Sequence, residues 1–296
     1  MPNHKPENYR GRFAPSPTGP VHLGTLIAAV GSYLQARKNN GEWLLRMEDV
    51  DITRKVKGAD IEIISTLEAF GFRWHGEILY QSKQTRHYQQ ALDTLISQSL
   101  VFPCICSRKQ LAESNDGIYP GSCRLRSLPD SEDHALRLLS KDIDIEFTDA
   151  VMGTQRQNIK QQCGDFIIKR RDGLFAYQLA VVVDDALQEI TEVVRGVDLL
   201  DSTARQIYLQ RLLHYPTPAY CHLPLAIDAT GKKISKSEGG AKVDIANKEK
   251  LLIKTLQYLG QNPPAQLTGS SCDDIWQWAI SNWSITSVPK EHSISI

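Results

Sequence analysis

Two stretches of this 296-residue chain, more than two hundred positions apart, carry residue types suited to phosphate chemistry. The first is Pro15-Ser16-Pro17-Thr18-Gly19-Pro20-Val21-His22-Leu23-Gly24-Thr25. It sets a proline- and glycine-rich turn ahead of a helix, where free backbone amides and the helix dipole can receive an anion. His22, at the opening of that helix, can donate to a phosphate oxygen, and Gly24 leaves room for an adenine ring or ribose against the backbone. The second is Lys233-Ile234-Ser235-Lys236-Ser237, two lysines and two hydroxyls on a loop bracketed by Gly231 and by Gly239-Gly240. Such a loop can close over a triphosphate. Taken singly, the loop reads as solvated surface and His22 as a helix cap or packing histidine.

A third constellation is Cys104-Ile105-Cys106, then Tyr119, then Cys123, which crowds three of the six cysteines into residues 104 to 123. Cys163, Cys221 and Cys272 are scattered. In a chain without an apparent signal peptide, clustering of this kind reads as metal binding before disulfide. Three thiolates suit zinc, and the Tyr119 oxygen can complete a four-coordinate, structural site with no open position. The alternative is three reduced buried cysteines beside a packing tyrosine, which fits Tyr119 more readily than Cys104 and Cys106.

The elements that must position these groups alternate at first. Tyr9 to Ala14 reads as a strand; Leu23, Leu26, Ile27, Val30 and Leu34 recur at helical spacing; Glu42 to Met47 reads as a buried strand with Glu48 and Asp49 at its C-terminal end. Ile61, Ile64 and Leu67 mark another helix, and Tyr88, Leu92 and Leu95 a third. Alternation of this kind predicts an α/β fold, a parallel sheet with helices on both faces. Residues 102 to 164 break the rhythm and read as an insertion. Phe166 to Lys169, Val181 to Val183 and Glu189 to Val194 are strand-like, and Ser202 can cap a helix carrying Ile207, Leu209 and Leu212. Leu251, Leu252, Leu256 and Leu259, followed by the Trp-rich segment from Ile275 to Trp283, predict a small helical C-terminal piece, with residues 284 to 296 as a frayed tail.

Composition bounds the function. With 34 basic against 34 acidic residues, the whole surface is not a nonspecific nucleic-acid grip, although local patches remain possible at Arg108 and Lys109, Arg124 and Arg126, and Lys169-Arg170-Arg171. No run of eighteen apolar residues occurs, so no membrane contact and a cytoplasmic location are expected.

Together, and in this order, the two phosphate-suited stretches resemble the signature motifs of class I aminoacyl-tRNA synthetases. Arg12-Phe13-Ala14-Pro15-Ser16-Pro17-Thr18-Gly19, Arg46-Met47-Glu48-Asp49-Val50-Asp51 and Arg195-Gly196-Val197-Asp198-Leu199-Leu200 are similar to the glutamate-specific branch, and Tyr177 to Asp185 to its pocket strand and following loop. The resemblance runs over roughly residues 9 to 240. The first motif ends in Gly24-Thr25 where the class-wide form has a second histidine, a variation that the glutamate branch tolerates.

The resemblance implies a Rossmann-type parallel-sheet catalytic core that activates L-glutamate with ATP. His22, Lys236 and Lys233 would act in catalysis. Gly24 and Thr25, with His22 and Lys236, would bind ATP accompanied by Mg2+. Arg12, Phe13, Ala14, Pro15, Ser16, Glu48, Tyr177 and Arg195 would bind glutamate. That assignment is physically sensible, because a dianionic substrate needs arginines able to form paired hydrogen bonds and an anion for its ammonium. The implied boundaries are residues 1–101 for the first half of the core, 102–190 for an inserted zinc-bearing and substrate-pocket region, 191–242 for the second half with the lysine loop, and 243–296 for a short helical region. Only about sixty residues follow Gly239, whereas discriminating glutamyl-tRNA synthetases continue into a long helical anticodon-binding region. The chain is therefore similar to truncated paralogues of that enzyme, whose zinc site the Cys104, Cys106, Tyr119 and Cys123 pattern matches. That likeness implies transfer of glutamate to the queuosine base in the anticodon of tRNA(Asp) by a monomer. The alternatives are charging of an acceptor end, or a silent tRNA-binding paralogue, against which the joint presence of His22, Lys236, Arg12 and Glu48 speaks.

Overall fold

The computed structural model describes residues 8–107, 110–111, 118–126, 133–228 and 242–295. β1 (Arg10–Phe13) leads through the proline-rich turn into α1 (Leu23–Lys38), and β2 (Glu42–Met47) returns parallel to β1 with Arg12 opposite Leu44. α2 (Ala59–Ala69) then leads to β3 (Leu79–Tyr80), parallel to β2, and to α3 (Thr85–Ser97). β4 (Val101–Cys104), β5 (Ala135–Leu138), β6 (Asp144–Asp149), β7 (Gly153–Asn158) and β8 (Phe166–Lys169) follow. The remainder is α4 (Tyr177–Leu187), β9 (Glu192–Gly196), α5 (Leu200–Leu213), β10 (Ala219–Leu223), β11 (Leu225–Ile227), α6 (Lys248–Tyr258), α7 (Cys272–Asn282) and β12 (Ser293–Ser295).

These elements make an α/β fold with mixed sheets. The order β1-β2-β3 is parallel throughout; in β7-β6-β10-β9 the last three strands are parallel and β7 is an antiparallel addition. The two arrays meet where the Thr191 amide donates to the Arg10 carbonyl at 2.9 Å, just ahead of β9. A separate antiparallel sheet, β4-β5-β8, carries the cysteine cluster at the end of β4.

α1 is apolar on most of its faces, which fits a helix buried between layers. It packs on β1, β2 and β9 on one side and on α6 and α7 on the other, burying Leu26, Ile27, Val30, Tyr33 and Leu34. Gly31 permits the close approach to β10: a Cβ there would stand 2.5 Å from the Leu223 side chain. His22 caps the helix, and Arg37 and Lys38 in its last turn complement the dipole.

Several expectations are corrected. α2 forms, but its buried face is Ile63, Thr66 and Leu67, while Ile61 is 66% exposed. Val181 to Val183 is not a strand but the middle of α4, so the Tyr177–Asp185 segment is helical. All three valines are buried, and packing on every side overrides their modest reluctance for helix. Ser202 lies inside α5, which starts at Leu200. Nor is the C-terminal stretch frayed: β12 pairs in parallel with β11.

Candidate active site

Parallel strands of an open sheet present their carboxyl ends to ligands. Here those ends carry Arg12 and Phe13 of β1, Glu48 just past β2, and Arg195 of β9. The Pro15 carbonyl accepts the Glu48 amide at 3.0 Å, which fastens the proline turn to the end of β2. Arg12, Phe13, Ala14, Pro15, Glu48, Tyr177 and Arg195 line one cavity of about 160 Å³. Ser16 is exposed and faces a wider neighbour of about 690 Å³ that shares Ala14, Glu48 and Tyr177 with the first. On the other side, His22, Gly24 and Thr25 border a cavity of about 210 Å³ with Gly196, Asp198 and Leu225, and Thr25 belongs to both compartments.

Charge is distributed unevenly among these groups. Asp185 receives Arg12 through two contacts, Nε to Oδ1 at 3.0 Å and Nη2 to Oδ2 at 3.4 Å, and Arg46 through Nη2 at 2.7 Å. Burial works against its ionisation, yet the two guanidiniums hold the Asp185 carboxyl below the usual range. Asp184, next to it, is pushed upward by burial, and it accepts from the Tyr88 hydroxyl at 2.8 Å and Gln81 Nε2 at 2.8 Å. Burial likewise lifts Glu48 to about 7, against the pull of Arg46 and Arg12.

Among the described residues, Arg195 differs from Arg12 in having only neutral direct partners. Nε donates to His222 Nε2 at 3.0 Å, Nη1 to Gln206 Oε1 at 2.8 Å, and Nη2 to Thr203 Oγ1 at 2.8 Å and the Leu199 carbonyl at 3.2 Å. Its contact with the Tyr177 hydroxyl is the longest, at 3.5 Å. Arg195 and Glu48 line one cavity, and no ion pair joins the two.

His22 is the N-cap residue of α1: its Nδ1 accepts the Thr25 amide at 3.3 Å, and its Nε2 lies 2.9 Å from Thr25 Oγ1. The ring is therefore both cap and cavity wall. Lys233 and Lys236 lie outside the described residues. The flanks of their loop do not: Val243 donates to the Val21 carbonyl at 3.0 Å, His22 bridges to Lys242, and Leu225 and Ala226 line the His22 cavity.

At the tip of the β4-β5-β8 sheet, the sulfurs of Cys104, Cys106 and Cys123 all lie within 4.8 Å of one another. Cys106 and Cys123 sulfurs are 3.6 Å apart, and the Tyr119 oxygen is 3.6 Å from Cys104 and 3.9 Å from Cys106. Thiolates about 2.3 Å from a tetrahedral zinc stand about 3.8 Å apart, so the spacing fits such an ion with little movement. Burial opposes the Cys123 thiolate, but hydrogen bonds from Tyr119, the Ile105 backbone and the neighbouring thiols bring it down to about 7, whereas burial and the Cys123 and Cys104 thiols push Cys106 up to about 11, against a lowering hydrogen bond from Tyr119. A metal can thus be held here, on a sheet separate from the parallel strands.

Of the candidate phosphate-tracking residues, four have partners within the chain. Arg124 is bound to Asp165 at 2.6 Å, Arg170 to Asp51 at 2.7 Å, and Arg171 to the Ile105 carbonyl at 2.6 Å; Lys169 reaches Gln89 at 3.2 Å. Arg126 stays exposed, and Arg108 and Lys109 lie outside the described residues. The sequence reading missed Asp149 and His222 altogether. The sequence offered one signal for the latter: a histidine, His222, in a short apolar stretch about ten residues before the lysine loop.

Residues 8–261 match the family model described as tRNA synthetases class I (E and Q), catalytic domain. The chain belongs to this family. Among relatives of this synthetase, the glutamyl-Q tRNA(Asp) synthetase of Aromatoleum aromaticum is 47% identical over 288 residues, covering 96% of this chain and 91% of that protein. The one from Ectopseudomonas mendocina is 48% identical, with 97% of each chain covered. Among solved structures, the glutamate-tRNA synthetase of Elizabethkingia anophelis superposes with a TM-score of 0.81 at 25% identity, over 98% of this chain and 68% of that one. A glutamate tRNA ligase from Elizabethkingia meningosepticum, solved in complex with its amino acid, gives the same TM-score and 67% coverage of its own length. The synthetase is a ligase-type enzyme, and none of its described helices is long and apolar enough to cross a membrane.

Proposed function

We propose that this enzyme activates L-glutamate with ATP and transfers it to the queuosine base in the anticodon of tRNA(Asp). The observation that carries the proposal is the pairing of near-complete coverage by glutamyl-Q tRNA(Asp) synthetases with a strand-end cavity holding two arginines, a carboxylate and a tyrosine. We further infer that the parallel strands form a Rossmann-type core divided as the sequence reading has it, and that the protein works in the cytoplasm as a monomer.

In this mechanism the α-carboxylate of glutamate attacks the α-phosphorus of ATP, a P–O bond forms, and pyrophosphate leaves. Arg12 and Arg195 hold the amino acid's carboxylates and Glu48 its ammonium. His22, Lys233 and Lys236 neutralise charge that builds on the triphosphate, accompanied by Mg2+; positioning and electrostatics supply the rate in such transfers. Next, a hydroxyl of the tRNA nucleoside attacks the mixed anhydride carbonyl and AMP departs. Zinc held by Cys104, Cys106, Cys123 and Tyr119 would cross-link the tip of the β4-β5-β8 sheet.

The test supplies purified enzyme with ATP and radiolabelled glutamate and compares tRNA(Asp) with and without the modified base, alongside tRNA(Glu). Label on modified tRNA(Asp) alone is expected. Label on tRNA(Glu) would favour acceptor-end charging, to which the likeness to glutamate-tRNA synthetases lends some weight, and no label on any tRNA would leave the silent-paralogue reading.

A further inference from the structure

Behind Arg195, on the side away from the cavity, lies a buried chain of polar groups that the proposed chemistry does not use. Arg195 in β9 and His222 in β10 are register partners, so their side chains leave the sheet side by side. His222 is fully buried, and its Nδ1 stands 2.6 Å from Asp149 Oδ2 at the end of β6. The other oxygen of Asp149 is fixed: Oδ1 accepts the backbone amides of Val151 at 3.0 Å, Met152 at 2.9 Å and His222 at 3.2 Å.

Donor and acceptor logic fixes the histidine tautomer. Arginine Nε can only donate, so His222 Nε2, 3.0 Å away, must accept. The ring proton therefore sits on Nδ1 and is given to Asp149. A charged imidazolium would set an N–H against the Arg195 N–H, and burial together with the Arg195 charge holds His222 below its usual range.

We propose that Asp149 and His222 are positioning residues for glutamate binding: Asp149 locks His222 in the tautomer that anchors Arg195 Nε, and that anchor aims the guanidinium at the substrate carboxylate. Because the relay hands Arg195 a neutral acceptor, with the carboxylate one residue further back, the arginine keeps charge available for an anion in the cavity. Arg12, already clamped by Asp185, has less to offer. The 3.5 Å contact from Arg195 to the Tyr177 hydroxyl is the one a substrate carboxylate would replace. This inference rests on the glutamate-activating reading of the cavity.

Three variants test it in glutamate-dependent ATP–pyrophosphate exchange, each with a thermal melt. His222→Asn places an amide near the Nδ1 position, keeping a partner for Asp149 while stripping Arg195 Nε of its acceptor. His222→Gln puts an amide oxygen near the Nε2 position and restores that acceptor. Asp149→Asn keeps Oδ1 on its three amides and turns an NH2 toward Nδ1, which drives the ring proton onto Nε2, against Arg195. The expected result is a KM for glutamate raised about tenfold or more in His222→Asn and Asp149→Asn, an unchanged KM for ATP, and recovery toward wild type in His222→Gln. Should Asp149→Asn fail to fold, the two His222 variants decide. Equal behaviour of His222→Asn and His222→Gln, or parallel rises in both KM values, overturns the relay. A wild-type enzyme that exchanges no pyrophosphate with glutamate present overturns the activation reading instead, so the two failures are distinguishable.

Discussion

Glu48 offers the sharpest pH test of the proposed amino-acid pocket. Its carboxyl is lifted to about 7 because burial disfavours its charge more than Arg46 and Arg12 favour it. A substrate ammonium is held by the carboxylate and not by the acid, so catalytic efficiency for glutamate should follow the ionised fraction of Glu48. One unit below about 7 only about a tenth of free enzyme is ionised, and kcat/KM for glutamate falls about tenfold per further unit. Exchange assays from pH 5.5 to 8.5 should therefore give a rising limb that levels near pH 8, absent from a Glu48→Gln variant of low, flat activity. The same shift has a stability consequence with a definite sign. A carboxyl raised from 4.5 to about 7 contributes stability that is fully present below 4.5 and lost as pH rises through about 7. At pH 8 Glu48→Gln should accordingly be more stable than wild type, by on the order of 2–3 kcal/mol, and near parity at pH 4.5. A flat kcat/KM profile in the wild type, or a stability advantage of the variant over wild type no larger at pH 8 than at pH 4.5, would refute the reasoning.

Three other outcomes follow from the same groups. Lys236→Ala should slow pyrophosphate exchange about a hundredfold or more while the melting temperature stays put; an unchanged rate would remove Lys236 from the chemistry. Asp185→Asn leaves Arg12 and Arg46 buried without their shared carboxylate, at a cost of about 3–5 kcal/mol by urea unfolding, and a loss below about 1 kcal/mol would mean that other groups balance the two arginines. Purified protein should carry about one zinc per chain, and chelation or Cys104→Ser should lower the melting temperature while pyrophosphate exchange at 25 °C persists; loss of exchange in step with zinc would tie the metal to the pocket.

What was legible in the sequence was local. The spacing of Leu23, Leu26, Ile27, Val30 and Leu34 placed α1, and the Glu42–Met47 run gave the bounds of β2 to the residue, because each pattern is enforced by burial that its neighbours also need. Val181 to Val183 misled because a helix buried all round has no polar stripe, leaving the β-branched residues as the strongest cue. The tail from 284 to 296 misled because a three-residue strand owes its existence to β11, 68 positions earlier in the chain. In the pocket, residue types pointed to Arg12, Glu48 and Arg195, yet no single-sequence signal distinguishes an arginine clamped by Asp185 from one resting on His222. That difference is made by the parallel register of β9 and β10 and by the arrival of Asp149 on β6, three segments brought together only in space.

The union of β11 with β12 gives the last few residues an unexpected reach. Leu225 and Ala226 wall the compartment beside His22, and their outer edge is satisfied by Ser293 and Ile294, with the Leu225 amide donating to the His292 carbonyl at 2.9 Å. Trimming the chain at residue 290 would remove β12, unzip that edge and loosen the wall beside His22 without altering any residue of the proposed glutamate pocket.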